Sequence, residues 1–267
     1  MHPIERLRYL ARSSGGDARV MVSETASALR GMGMDPAGLV VACRRIVERH
    51  PTAGPLWWLC AHMLTAADPY ATARRLADEI DADLTPEVLI DTLPIDATVC
   101  VVGWPDLAGE ALLRRGDLSV LAIDADDQGS SFVRRLERAD VEAEVIEAAG
   151  LAAAVLAADV VLIEASAASS TELLAARSSR AVASVAYCSE VPVWAIVGIG
   201  RCLPEAGFTS LVQRVADVRE PWLAEADVLP LALFSHVVTS AGCRPIEEAA
   251  LVTECPLAHE LLRFSVI

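Results

Sequence analysis

The sequence predicts an α/β protein in two parts, a helical domain over residues 1–92 and a Rossmann-like parallel-sheet domain over 93–267. Three observations carry this. Apolar residues recur at helical spacing through the first third and switch period after "DADLTPEVL". Five β-rich runs then alternate with helical stretches, the order that builds a parallel sheet wrapped by helices. The runs "TVCVV", "VVLIE" and "VPVWAIVGI" are almost continuously apolar, as strands buried on both faces must be.

In the first part, "DPAGLVVACRRIVERH" puts Leu39, Cys43, Ile46 and Val47 on one helix face and Arg44, Arg45, Glu48 and Arg49 on the other. Asp35 caps this helix, Pro36 takes its first position and Pro51 stops it. Residues 54–64, "GPLWWLCAHML", form a helix that is apolar nearly all round, and 69–80 form another with its polar face restored. Leu56, Trp57, Trp58, Leu59 and Met63 exceed what a small bundle can hide, so the helices should pack on the sheet domain. Both tryptophans read as core, with one of them available to anchor a subunit contact.

In the second part, strands are expected at 97–103, 118–124, 142–147, 159–164 and 191–198, with helices at 107–115 and 128–139, a short strand in "SHVVTS" and a terminal helix near 257–262. In "VVLIEASAASSTELLA", residues 160–175, the β-branched run gives way to Ala and Ser, and a helix restarts after Thr171. Ser169, Ser170, Thr171 and Glu172 read as its N-cap region, where exposed N–H groups could also hold a small anion.

Composition limits function. The net charge is −15, and all 22 basic residues are Arg, because the chain has neither Lys nor Asn. Such a surface repels phosphate backbones and anionic lipid, so neither nucleic acid nor a membrane is expected as a direct partner. Without Lys there is no Schiff base, phosphate-loop lysine or lysine general base. The seven scattered cysteines, none in a C-x-x-C pair, read as reduced thiols of a cytoplasmic protein, and neither they nor the five His have metal-site spacing. "MHPIERLRYL" lacks the apolar core of a signal peptide, and no stretch is long and apolar enough to span a membrane. No cofactor is expected either, because Trp104-Pro105 follows Gly103 where a dinucleotide fingerprint needs glycines. The same missing glycine loop argues against a nucleotide-dependent transferase.

Five stretches carry a family resemblance. "TVCVVGWPDLAGEALL" is similar to a strand and loop bearing T-H-x-x-S before a helix, and "SVLAIDADDQGSSFVRRL" stands where a strand ends in E-S-R-P. "EVIEAAGLAAAVLAADVVLIEAS" resembles the strand, helix and strand leading to Gly-Ala-Asp. "AARSSRAVASVAYCSEVPVWAI" resembles an Asn-Lys-x-Gly-Thr helix running into "VP", and "LPLALFSHVVTSAG" a C-terminal ending with Thr and Gly. Together they resemble the family of the α, β and δ regulatory subunits of translation initiation factor 2B, methylthioribose-1-phosphate isomerase and ribose-1,5-bisphosphate isomerase.

Carried across, the isomerases' cysteine falls on Gly103 and their aspartate on Ser166, with Glu164 and Ala165 before it. The phosphate-holding arginine falls on Asp126, the Asn-Lys pair on Ala175-Ala176, and Gly-Thr on Ser178-Ser179. The resemblance therefore implies a non-catalytic, dimerising scaffold or regulatory subunit with a protein partner and a vestigial ligand cleft. That cleft is expected to be lined by Gly103, Trp104, Asp124, Glu164, Ser166, Ser178 and Ser179 and to be poor at holding phosphate. The alternative is an active aldose–ketose isomerase with relocated residues, for which Glu164, Asp124 and Cys100 are the candidates. A dimer through the sheet domain is expected, the apolar stretch 223–238 being its motivation.

Overall fold

The computed structural model describes residues 17–262 except Met34, Asp126, 217–219, Ala250 and Glu254, and gives no side-chain placement for Met32. Among the described residues, five helices come first: α1 (Ala18–Met32), α2 (Pro36–Arg49), α3 (Gly54–Thr65), α4 (Pro69–Asp81) and α5 (Thr85–Thr92). Side-chain caps start three of them: Asp17 accepts from the Arg19 N–H, Asp35 from Gly38, and Asp68 from Tyr70 and Ala71. Leu39, Cys43, Ile46 and Val47 are the buried face of α2, as the periodicity requires.

The strands and helices that follow are β1 (Thr98–Val102), α6 (Leu107–Leu112), β2 (Ser119–Ile123), α7 (Gly129–Glu137), β3 (Glu142–Ile146), α8 (Leu151–Ala157), β4 (Val160–Ala168), β5 (Glu172–Ala176), α9 (Ser179–Cys188), β6 (Val193–Ile196), α10 (Glu205–Ala216), β7 (Ala226–Pro230), β8 (His236–Thr239), β9 (Gly242–Pro245) and α11 (His259–Leu262). The main sheet runs β3-β2-β1-β4-β6-β8-β9, parallel throughout except for the final antiparallel pair. The chain has an α/β fold.

One segment departs from the expectation. After Thr171 the chain does not enter a helix. It folds back as β5, antiparallel to the outer half of β4, and β7 joins β5 on its far side. Ser169 makes the turn, its Oγ accepting from the N–H groups of Thr171 at 3.2 Å and Glu172 at 3.1 Å. Leu173 and Ala175 face one apolar core while Leu174 faces another, so burial alternates along β5 and overrides the helix preference of Leu and Ala.

This extension of the sheet carries the helical bundle. Trp57, Trp58, Leu59 and Met63 share one core with Ala167 and Leu174 of the sheet and with Phe208 and Leu211 of α10, and both tryptophans are buried in it. Gly54 sits so close to β4 that a Cβ there would lie 2.5 Å from the Ser166 carbonyl oxygen. The stretch 223–238 supplies β7 and part of β8. Its Leu229, Phe234, Val237 and Val238 are buried inside this chain, which leaves Leu223, with Trp222 just before the stretch, as the large apolar side chains exposed there. Among the described residues, no helix is long and apolar enough to cross a membrane.

Candidate functional site

A cavity of about 720 Å³ opens where the helical bundle meets the carboxyl ends of β1, β2 and β4. In a doubly wound sheet this is the place for a ligand. The bundle contributes Ala18 and Met21 from α1 and the α2–α3 connection from Arg49 to Leu56. From the sheet side come the β1–α6 turn, Ala125, Gln128, Glu164, Ser166, Ala176, Arg177, Ser179 and Arg201.

Gly103, Trp104, Glu164, Ser166 and Ser179 thus meet at one cleft. Gly103 turns the chain off β1 in a left-handed conformation, φ +64°. Trp104 is steadied by the Phe132 ring, 5.9 Å between centroids, and by the Arg135 guanidinium 5.8 Å from its own. Asp124 lies beside the cleft, its Oδ1 accepting from the Gly129 N–H at 2.8 Å and so starting α7. Ser178 also lies just off the lining, at φ +74°, an uncommon conformation for a residue with a Cβ. Cys100 is buried in β1 and takes no part in the lining, and burial raises its thiol to about 12. Asp126 lies outside the described residues.

Glu164 is the anchor of the floor. Its Oε2 accepts from the N–H groups of Leu107 at 2.8 Å and Ala108 at 3.0 Å, the exposed donors that begin α6. Its Oε1 pairs with Arg201 at 2.8 Å, both side chains being buried, and the Arg201 guanidinium also donates to the Ala165 carbonyl oxygen. Both carboxylate oxygens are therefore engaged.

Beside it stands Asp106, half-buried, which the sequence did not single out. Its Oδ2 accepts from the Ala18 N–H at 3.2 Å. Burial, and then the Glu164 carboxylate, raise its carboxyl to about 7. Ser179, at the start of α9, is fully buried and its Oγ has no hydrogen-bond partner within the protein. Three arginines (Arg49, Arg177, Arg201) and His50 line the same space as Asp106, Glu164 and Glu225, so the cleft has mixed charge. Burial, and then the neighbouring Arg49, lower the His50 pKa and so favour its neutral imidazole. The sequence showed Arg49 only as part of the polar face of α2, and His50, Arg177 and Arg201 were passed over because they come from separated connections; the one local signal for Asp106 was a carboxylate at a helix start directly after the first strand. Among the described residues, no group of His, Cys, Asp and Glu side chains could hold a metal ion.

No family model matches the sequence, and no curated protein is similar to it in sequence. The fold is similar to that of solved structures. A translation initiation factor eIF-2B from Pyrococcus horikoshii OT3 superposes with a TM-score of 0.75 at 13% identity, over 90% of this chain and 96% of that one. A chain of the tetrameric eIF2B-beta2-delta2 complex from Chaetomium thermophilum gives 0.67 at 16% identity, over 92% and 91%. eIF2B beta from the same organism gives 0.64 at 14%, over 92% and 88%. This chain has the eIF2B-subunit fold over nearly its whole length.

Proposed function

We propose that this chain is a non-catalytic relative of the initiation factor 2B subunits. On this reading it is a cytoplasmic scaffold or regulatory subunit that pairs with a second copy or a partner protein and keeps the interdomain cleft as a small-ligand site. The observation that carries the reading is the engagement of Glu164, the carboxylate two residues before Ser166, where the isomerases' aspartate falls, and the first candidate for a relocated acid or base. Both its oxygens are held, by α6 and by Arg201, and Cys100 is buried away from the cleft. Moving a proton between adjacent sugar carbons needs a group free to take and return it. Association is supported by the tetrameric complex to which one of the structural neighbours belongs and by the exposed Trp222 and Leu223.

Asp106 favours a second reading, an isomerase with relocated residues, because a carboxyl held near 7 suits proton transfer at neutral pH. The deciding experiment incubates the purified protein with methylthioribose 1-phosphate and with ribose 1,5-bisphosphate and looks for the ketose. No turnover is expected. Turnover that disappears in Asp106→Asn would establish the second reading instead.

A further inference from the structure

A helix that is apolar all round belongs in a core, because an exposed helix normally keeps charge on its outer face. The molecule follows this rule in α3, which is buried, and in α2 and α7, whose exposed sides carry Arg45 and Glu48, and Arg134 and Glu137. α8 breaks it. From Ala148 in the turn before this helix to Ala158 just after it, no side chain carries a polar atom, yet Ala152, Ala153, Leu156 and Ala157 face solvent. α9 lies against α8 on the same side of the sheet and adds Tyr187 and Cys188 to this surface. Leu156 is 63% exposed and Tyr187 62%, while the core beneath them is closed by Val155, Val182, Ala183 and Ala186. We infer that the outer face of α8 and α9 is a contact surface for a second copy of this chain, the two faces meeting about a two-fold axis.

Two properties of the face select a second copy. The first is charge. A chain of net charge −15 repels its own kind wherever two acidic surfaces meet, and an uncharged face is where two copies touch without setting like charges together. A basic partner, drawn to acidic surface, would gain nothing from it. Glu147 and Asp159, which bound the uncharged run, stay exposed at its rim. The second property is shape. A face that meets itself must hold both projections and hollows. Here Leu156 and Tyr187 project, and the alanines of α8 leave hollows one helical turn away, Ala152 being four residues before Leu156 and Ala153 four before Ala157. At about 1.5 Å per residue, α8 and α9 are only about 10 and 15 Å long, so the contact is smaller than a standard interface and the pair is weak, with a Kd of about micromolar order. The inference rests on the association half of the proposed function and leaves the cleft out.

The test is analytical ultracentrifugation of the full chain from about 1 to about 100 μM, the range that such an area implies. The native protein should show a monomer–dimer equilibrium there, and raising sodium chloride from about 0.05 to about 0.5 M should tighten it, because salt screens the repulsion between two acidic bodies. Leu156→Glu should weaken pairing by about thirtyfold or more, the loss expected at the centre of an apolar contact. Ile95→Glu, at an apolar side chain exposed outside the face, should leave it unchanged. A native protein that stays a monomer throughout, a dimer that loosens with salt, or one that Leu156→Glu leaves intact overturns the inference. The last result, joined to loss of the dimer in Trp222→Ser, would keep the association and move it to another surface. Should Leu156→Glu fail to fold, alkylation of Cys188 in the native chain decides, since it is the exposed one of the seven cysteines. Its rate must fall as the protein is concentrated through the dimer range, and a constant rate overturns the inference.

Discussion

Glu164 is the last residue of β4 to pair in parallel with β6, a place where catalytic carboxylates sit in many α/β enzymes, yet here its contacts are structural. Replacing it by Ala would strip the α6 N-terminus of its acceptor and leave Arg201 buried without a counter-charge. Losing one partner of such a buried pair costs about 3–5 kcal/mol. Urea unfolding of Glu164→Ala should show a loss of that size, and an unchanged midpoint would mean that the pair is dispensable. Single residues were legible where local chemistry sufficed. Gly103 and Trp104 were read from a turn, Glu164 and Ser166 from a strand end. Arg201 was not legible, because it reaches Glu164 only after the chain has passed through β5, α9 and β6.

Elements were legible where the pattern was long. The 14 residues of α2 show a helical period with its cap, and the parallel strands show as apolar runs. β5 has five residues, rich in Leu and Ala, and β7 has five ending in Pro, too short for a period of two to outweigh local propensity. Missing that hairpin also hid the platform on which α3 is seated. At the contact, Gly54 meets the Ser166 carbonyl, a backbone atom that cannot turn aside. Gly54→Ala should therefore force α3 away from β4 and cost about 1–3 kcal/mol, as overpacking does. In a chain of this size that lowers the melting temperature by about 2–4 °C per kcal/mol. A variant that melts with the native protein would show that α3 is not seated directly on β4.

At the scale of the molecule, the two parts named by composition are joined by a shared core. The four helices α1 to α4 bury Val22, Leu29, Leu59, Met63 and Leu76 in one cluster, and that cluster is completed by Ala167, Leu174, Phe208 and Leu211 from beyond residue 92. α5 belongs instead to the core under β1 and β2, where Leu89 and Leu93 meet Leu112 and Val120. A fragment covering residues 1–92 would expose the faces of Trp57, Trp58 and Leu59 that the sheet covers, and would leave α5 without its packing surface. A bundle of this size has little stability in reserve, since a short chain buries a smaller fraction of its surface. The expected outcome is a fragment that aggregates or stays largely unfolded, with no cooperative thermal transition by circular dichroism. A soluble fragment with a sharp transition would show that the bundle holds its own core and that the cleft lies between two independent bodies.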